Sequence, residues 1–349
     1  MIAAMRSLLT LLLLLLVVGL VLVPVALAQH DPMGAILTFI AGPFNDRRHI
    51  GNILEAATPL LFTGLAVSLM FRAGMFNLGM EGAFFLGGVG ATAAVLLLPL
   101  PGWLLCPAGI VAGALAGCLV CAIPGLLRAR FGASELVSSL MLNYAAQFLG
   151  LYVVNYVLRD PDAGAMASYR LPAAAKLPRL LAGTHVNLGL LLGLLACLLG
   201  GLWLFRTSWG FRARVVGANL GFGRHIGLPV AAIAVGAQVL GGLAAAAGGA
   251  VEIQGQYIRF TWIDLPGQGW NGLVVAILAG NNPLLVPPAA LAMAWLQVGG
   301  NQLALNYNVP SEMVGMVQAL VILFATATAI TQNPRLLGWL RARLQRSPA

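Results

Sequence analysis

Long apolar runs separated by short polar stretches make up most of this chain. A membrane-spanning helix needs about 20 consecutive apolar residues, and the pattern supplies ten candidate spans. These are residues 7–28, 51–71, 78–98, 103–127, 135–158, 187–205, 229–251, 263–280, 284–299 and 312–333. The pattern therefore predicts an all-α polytopic membrane protein with about ten transmembrane helices, some short or broken, in one domain over residues 1–349.

Two parts of this map have a second interpretation. Segments 263–280 and 284–299 are short and separated only by Asn281-Asn282-Pro283, so they form either two spans or a re-entrant pair. Segment 7–28 is followed at once by Gln29, and its end resembles a signal-peptide cleavage site. Its uncharged stretch is longer than the usual core of about 7–15 residues, which favours a retained span.

Composition supports a membrane protein and excludes other classes. Of 349 residues, 60% are hydrophobic and 8% are charged, whereas soluble domains carry about 25% charged residues. The net charge of +9 comes from arginines scattered between apolar runs, without the contiguous basic face that nucleic-acid binding needs. The four cysteines lie in apolar runs and the four histidines form no ligand pair, so we expect no metal site.

The distribution of basic residues predicts the orientation in the membrane. With both termini in the cytoplasm, 12 of the 19 basic residues lie inside and the other seven lie outside. Cytoplasmic loops carry the excess of Lys and Arg, which favours this orientation. It places residues 159–186 in an extracytoplasmic loop with packed structure, residues 206–228 in a cytoplasmic loop, and residues 334–349 in a basic cytoplasmic tail.

Asn77 and Glu81 lie in a Gly-rich stretch where the third span begins. The four-residue spacing places both on one face if the stretch is helical. An acid among membrane helices usually faces a bundle interior or an aqueous path. One interpretation is a tight cytoplasmic turn with Glu81 reaching water or pairing with Arg72. The other is a broken element that forms part of a transport route or an inner gate.

Further polar residues interrupt the spans. Asn143 and Gln147 lie four residues apart near the middle of the fifth span, where they serve either interhelical hydrogen bonding or a polar path. Asn271 lies between glycines at the start of the eighth segment, and broken elements of this kind indicate binding sites in transporters. Glu135 begins the fifth span, where a negative charge suits the helix dipole.

Loop 206–228 mixes arginines with Trp209, Phe211 and Phe222, a combination typical of protein interfaces. An amphipathic helix that docks in a groove of a cytoplasmic partner explains this mixture. The alternative is a loop whose positive charge only sets the orientation in the membrane. The chain lacks a phosphate-binding G-x-x-x-x-G-K-[ST] motif and a nucleophile–base motif, so we expect neither nucleotide hydrolysis nor other enzymatic activity by the chain itself.

Six stretches resemble permease subunits of ATP-binding-cassette importers for nucleosides and simple sugars, which are related to ribose and branched-chain amino-acid permeases. They occur in the order found in that family, at residues 73–82, 134–144, 206–219, 224–227, 269–280 and 309–312. The resemblance implies a bacterial inner-membrane permease paired with a second, homologous permease. A cytoplasmic ATPase that uses the ATP and an extracytoplasmic solute-binding protein complete the importer, and the permease itself needs no cofactor.

The resemblance also assigns residues to roles. It places Arg212, Arg214, Gly217, Asn219, Arg224 and Gly227 on the segment that contacts the ATPase. The family usually has proline after the asparagine and then small helix-forming residues, whereas here Gly221 and Gly223 weaken the helix by about 1 kcal/mol each. This departure puts the docking of the loop in question.

The resulting hypothesis is a permease subunit for a neutral polar solute, a nucleoside first, with Asn77, Glu81, Asn143 and Asn271 as pathway or gate residues. Amides rather than fixed charges suit a hydroxylated, uncharged substrate. The alternatives are the same architecture importing a simple sugar or a branched-chain amino acid, and an ion-coupled carrier or channel that works alone.

Overall fold

The computed structural model describes residues 31–307 together with residues 315, 316 and 319. The predicted first span, 7–28, and the basic tail, 334–349, lie outside the described residues, and the last predicted span is described at those three positions only. Eleven α-helices run through residues 31–307. They are α1 (Pro32–Ile40), α2 (Arg47–Arg72), α3 (Met80–Leu97), α4 (Gly102–Phe131), α5 (Glu135–Tyr156), α6 (Gly189–Arg206), α7 (Ser208–Ala218), α8 (Leu220–His225), α9 (Val230–Gln256), α10 (Gln268–Leu278) and α11 (Val286–Tyr307).

Seven of the described helices are long and apolar enough to cross a membrane: α2 to α6, α9, and α11 with the 3₁₀ turn before it. These helices confirm the prediction of an all-α polytopic membrane protein. The eighth predicted segment differs from its prediction. Instead of a span over 263–280, the chain forms the 11-residue helix α10, which at 1.5 Å per residue is about half the thickness of a bilayer core. The next element, Pro283–Tyr307, is long enough to cross a membrane, so the region forms one half-helix followed by one span rather than two spans or a pair of half-helices.

Glycine allows α3, α4 and α9 to approach one another at backbone distance. A Cβ atom at Gly249 of α9 would lie against the carbonyl oxygen of Phe84 in α3, and one at Gly117 of α4 would lie against that of Ala83. Gly87 of α3 faces the backbone of Ala246 in the same way. Small residues at such crossings are typical of membrane helices, because close backbone approach maximises van der Waals contact where no hydrophobic effect drives association.

The described chain divides into two compact units, one formed by residues 50–294 and the other by the two ends up to residue 49 and from residue 295. In the second of these units, Asp31 caps α1 by accepting a hydrogen bond from the N–H of Gly34 at 3.0 Å. The Phe39 and Trp295 rings meet edge to face with centroids 5.8 Å apart, and the Trp295 indole donates to the Ile40 carbonyl. These contacts join α1 to the last part of α11.

The loop between α5 and α6 has fixed structure, as its prolines predict. Its backbone N–H groups donate to carbonyl groups at and beyond the end of α9, from Ser168 to Phe260 at 3.1 Å and from Leu177 to Gln254 at 3.1 Å. Arg259 also forms an ion pair with Asp160 at 3.1 Å. The loop therefore covers one end of the helices, and residues 206–228 lie at the other end.

Replacing Gly249 with valine tests the close crossing of α3 and α9. The added side chain overlaps the Phe84 backbone, so we expect a loss of about 1–3 kcal/mol in unfolding free energy, measured by thermal denaturation in detergent. Gly164→Val is the matched control, because open space surrounds that loop position. Equal melting temperatures for the two variants would contradict this packing.

Candidate functional site

The helical path is interrupted between α2 and α3, and Asn77 lies in this interruption. Residues 73–79, here called the break, are not helical, and the Asn77 side chain is completely buried. Its Oδ1 accepts a hydrogen bond from the Gly79 N–H at 2.7 Å. Its Nδ2 donates to the Cys121 carbonyl at 2.8 Å and to Oε1 of Gln238 at 2.6 Å. The one amide thus links the break to α4 and α9.

Helix α5 holds the other side of the break with Ser139 and Asn143. The Ser139 hydroxyl accepts from the N–H of Leu78 at 3.0 Å. Asn143 accepts from the N–H of Gly82 at 2.9 Å and donates to the Leu78 carbonyl at 2.9 Å. A Cβ at Gly82 would lie 2.8 Å from the Asn143 Cα, so glycine is required for this approach. Together, these bonds satisfy backbone groups that the missing helical turn leaves without partners.

Glu81 caps the N-terminus of the half-helix α10. Its Oε1 accepts from the Gly267 N–H at 2.6 Å, and its Oε2 accepts from the N–H groups of Gly269 at 2.6 Å and Trp270 at 3.2 Å. Three backbone donors and the positive end of the helix dipole compensate the carboxylate for its lost hydration. Gly267 has a φ of 79°, a left-handed conformation that favours glycine and turns the chain into α10.

This geometry corrects one interpretation of the Asn77–Glu81 stretch. Glu81 is fully buried, so the prediction that it reaches water at a tight turn is wrong. Its expected pairing with Arg72 is also wrong, because the exposed Arg72 guanidinium donates instead to the Asn281 carbonyl at 3.0 Å. The break is non-helical backbone buried within the helices and α10 is a helix of half length, so the structure contains broken elements. Their role in a transport route or an inner gate stays a prediction.

A continuous line of polar side chains runs from the break to one end of the helices. Gln238 donates to Oε1 of Glu135 at 2.9 Å, and Oε2 of Glu135 lies 2.6 Å from Nη1 of Arg128. With the Asn77–Gln238 bond, the sequence Asn77–Gln238–Glu135–Arg128 joins the break to α9, α5 and α4. We call these four residues the polar chain. Gln238 is fully buried and Arg128 is partly exposed, so the polar chain passes from interior to surface.

A cavity of about 420 Å³ lies where the polar chain reaches the surface. Arg128 and Glu135 line it on one side, and Arg224 of α8 lines it on the other. The cavity therefore lies beside the segment that the resemblance assigns to ATPase contact. The polar chain leads directly from this segment towards the break.

The predicted coupling loop forms two short helices, α7 and α8, here called the coupling segment. Asn219 separates them and caps α8, with its side chain accepting from the Phe222 N–H at 3.0 Å. Gly217 lies against the break: a Cβ there would meet the Arg72 carbonyl, and a Cβ at Gly74 would lie 3.0 Å from the Gly217 Cα. The backbone of α7 thus contacts the beginning of the break.

The side chains of the coupling segment divide into exposed and internal groups. Arg212, Arg224, Phe211 and Phe222 are exposed. Arg214 is half-buried and stacks over Phe205 and Phe211, with its guanidinium carbon 5.4 and 5.9 Å from the ring centroids. Arg212 and Arg224 therefore face outward, whereas Arg214 packs within the segment.

The remaining glycines of the coupling segment have separate surroundings. Gly227 has a φ of 77° and ends the segment in a left-handed turn. The two glycines that depart from the family pattern also differ, since Gly223 is buried against Val216 and Val230, and Gly221 is exposed. Helix α8 forms in spite of them. An effect of these glycines on docking to the ATPase stays a prediction.

Asn271, the fourth predicted pathway residue, follows Trp270, whose N–H donates to Glu81. It is half-buried on α10 and makes no side-chain hydrogen bond within the described residues. Gln147, one turn beyond Asn143, donates to the Ile263 carbonyl and to Asp264, both at 3.3 Å, so it joins α5 to the segment that leads into α10. Hydrogen bonds thus hold Asn77 and Asn143 at the break and join Glu81 to α10, whereas the Asn271 side chain takes no part in these bonds among the described residues.

Gln238 is the principal residue that sequence reasoning missed. It is a single amide within a run of Ala, Gly and Val in α9, and an isolated polar residue in a span is a signal of function. Among the described residues, no group of three His, Cys, Asp or Glu side chains could hold a metal ion. The polar residues around the break are amides and carboxylates that are hydrogen-bonded to the protein itself.

The sequence signature of a transporter family, described as "Branched-chain amino acid transport system / permease component", matches residues 49–326. The chain belongs to this family. It is therefore a multi-pass membrane permease subunit, as the six motifs indicate. A glucose ABC transporter permease of Haloferax volcanii is 33% identical over 84% of this chain and 80% of its own length.

Two other relatives carry nucleoside names. A guanosine ABC transporter permease of Bacillus subtilis is 30% identical over 82% of this chain and 83% of its own length. A nucleoside ABC transporter permease of Lactococcus lactis is 27% identical over 87% of this chain and 86% of its own length. Both alignments extend over most of the permease. Together with the glucose permease, these relatives confirm the resemblance to nucleoside and sugar permeases.

Glu81→Gln tests the cap on α10. The new amide keeps one acceptor oxygen and presents an NH₂ group to backbone N–H donors, so we expect a loss of about 1.5–3 kcal/mol in unfolding free energy. Thermal denaturation in detergent measures it. Glu55→Gln is the control, since the half-buried Glu55 side chain accepts no hydrogen bond within the described residues. If both variants have the melting temperature of the parent, the cap contributes nothing to stability.

Proposed function

We propose that this permease forms half of the membrane pathway of an ATP-driven nucleoside importer. The observation that carries the proposal is the coupling segment, whose exposed arginines and aromatics lie beside the open end of the polar chain. A cytoplasmic ATPase of the ATP-binding-cassette type docks there. A second, homologous permease supplies the other half of the pathway, and an extracytoplasmic binding protein delivers the cargo.

The proposed interface combines exposed cations with exposed aromatic rings. Phe211 and Phe222 are 59% and 55% exposed, which is costly for aromatic side chains in water unless a partner covers them. Arg212 and Arg224 accompany them, and Arg together with aromatic residues is enriched at interfaces. We place this face in the cytoplasm of a bacterial inner membrane, with both chain termini on the same side, as the basic residues predict.

In this proposal, movement reaches the break through two contacts. The backbone of α7 contacts residues 72–74 through Gly217, and the cavity beside α8 opens onto the polar chain at Arg128 and Glu135. A displacement of the coupling segment on ATP binding then acts on the break that Asn77 and Asn143 hold. Glu81 ties α3 to α10. The break and α10 therefore shift together and open the pathway alternately to each side of the membrane.

The cargo assignment rests on the relatives. The guanosine and nucleoside permeases support a nucleoside as the cargo. The glucose permease of Haloferax volcanii supports a second candidate, a simple sugar. Branched-chain amino acids remain the third candidate, named in the family description.

Uptake by cells that lack this gene tests the cargo. We expect guanosine uptake to disappear on deletion and to return with the intact gene, while glucose and leucine uptake stay unchanged. Loss of glucose uptake with guanosine uptake intact would transfer the assignment to a sugar. Transport by the purified chain reconstituted alone, without an ATPase, would contradict the importer.

Arg212→Ala tests the docking face. Removing this exposed cation should weaken co-purification of the ATPase about tenfold, corresponding to about 1.4 kcal/mol, without changing expression. Arg170→Ala is the control, because Arg170 is an exposed arginine in the loop at the other end of the helices. Arg214→Ala should lower thermal stability instead, since its guanidinium packs on Phe205 and Phe211. If ATPase recovery and transport are unchanged with Arg212→Ala, the proposal is contradicted and the basic residues of the segment only set the orientation in the membrane.

A further inference from the structure

Helix α5 exposes a row of aromatic side chains on a face turned away from the break. Tyr144, Phe148, Tyr152 and Tyr156 follow one another at four-residue spacing, which places them on one side of the helix. They are 61%, 67%, 59% and 78% exposed, respectively. Three of the six tyrosines of the chain lie in this row. We call these four residues the aromatic ladder.

Two other spans expose a different kind of surface. The middle of α4 exposes only aliphatic side chains, including Val111, Leu115 and Leu119. The exposed face of α6 consists of leucines, including Leu195 and Leu198. The aromatic ladder differs from both because it carries hydroxyl groups. The contrast is between spans of one protein, so overall composition does not account for it.

The depth of Tyr144 separates the aromatic ladder from an interfacial aromatic belt. Tyr156 ends the helix, where tyrosine is common because its hydroxyl reaches the headgroup region. Tyr144 lies nine residues after Glu135, about 14 Å along the helix at 1.5 Å per residue, near the middle of the span. Hydrocarbon offers its hydroxyl no hydrogen-bond partner. A water-filled path satisfies the hydroxyl and also accounts for its exposure.

We propose that the aromatic ladder lines the translocation path and that the base of a nucleoside stacks on its rings during passage. The inference rests on the proposed function, with the second permease subunit forming the opposite wall. Adjacent rungs lie about 6 Å apart along the helix, and the Tyr152 and Tyr156 ring centroids are 4.8 Å apart. A flat base can therefore contact the next ring before it leaves the previous one.

The chemistry of the aromatic ladder matches both parts of a nucleoside, the base and the ribose. Every nucleobase has a π face that stacks on aromatic side chains, and such stacking tolerates different bases. The tyrosine hydroxyls supply hydrogen bonds to ribose. The same helix holds the break through Ser139 and Asn143, so a shift of α5 that follows the coupling segment also moves the aromatic ladder.

The first experiment measures whether water reaches this face. Tyr144→Cys and Phe148→Cys are made in the complete importer in membrane vesicles and treated with a water-soluble maleimide, with the labelling of the parent cysteines subtracted. Leu198→Cys, on the exposed aliphatic face of α6, is the control. We expect both ladder variants to react at least tenfold faster than the control. Reactivity equal to the control would mean a lipid-facing or dry interface and would overturn the proposal.

The second experiment measures what the aromatic ladder binds. Guanosine should slow labelling of Phe148→Cys, whereas glucose and leucine should not. The double change Tyr144→Leu with Phe148→Leu should reduce guanosine uptake about tenfold, because stacking energy is lost at two rungs. Tyr144→Phe keeps the ring and should retain most uptake. Trp103→Leu, which removes an exposed aromatic at the start of α4, is the control.

The outcomes separate this inference from the assignment on which it rests. If the parent importer takes up guanosine and the double variant does so equally well, the aromatic ladder is wrong and the proposed function stands. If the parent takes up glucose instead, the nucleoside assignment fails and base stacking fails with it. The labelling rates then still report whether the face is wet. Protection of Phe148→Cys by glucose alone would also overturn base stacking.

Discussion

A stretch of non-helical backbone lies inside this protein, where water cannot satisfy its N–H and C=O groups. The break between α2 and α3 therefore needs side-chain partners, and those partners come from separate helices. Asn77 reaches α4 and α9, while Ser139 and Asn143 of α5 bind the backbone at Leu78 and Gly82. The positions of three helices are thereby linked to one interruption of the chain.

The same need for hydrogen-bond partners explains how the half-helix α10 begins. Helix α10 begins inside the protein, so its first N–H groups need acceptors, and Glu81 supplies both carboxylate oxygens. Glycine is required at Gly269 because a Cβ there would lie 2.6 Å from the backbone nitrogen of Glu81. An acid that is costly in a membrane protein thus becomes the cap of a half-helix. The polar chain extends this arrangement to the coupling segment, where the transporter meets its energy source in our proposal.

Much of the architecture follows from the sequence for simple physical reasons. Apolar run length predicts six of the seven described spans to within about five residues at each end, because bilayer thickness sets helix length. The seventh starts as predicted but continues to Tyr307, beyond the predicted end at residue 299. Asn77, Glu81 and Asn143 could be selected because isolated polar residues among apolar ones are costly unless they have a role.

The partners of these residues could not be predicted in the same way. Glu81 binds N–H groups some 186 residues away in the chain, and no local pattern encodes that pairing. For the same reason, the sequence left open whether Glu81 reaches water, pairs with Arg72 or belongs to a broken element. Arg212 and Arg214 resemble each other in sequence, yet only Arg214 finds rings to stack on once the chain folds. Gln238 could not be selected from the sequence without knowing which helices face each other.

The central claim is that the polar chain transmits movement from the coupling segment to the break. The most direct test is the number of cargo molecules transported per ATP hydrolysed by the reconstituted importer carrying Gln238→Met, with Ala232→Met on the exposed side of α9 as control. We predict that Gln238→Met lowers this ratio while ATP hydrolysis continues, because the link between Glu135 and Asn77 is lost. A ratio equal to that of the parent and of the control, in a correctly assembled importer, would contradict the account.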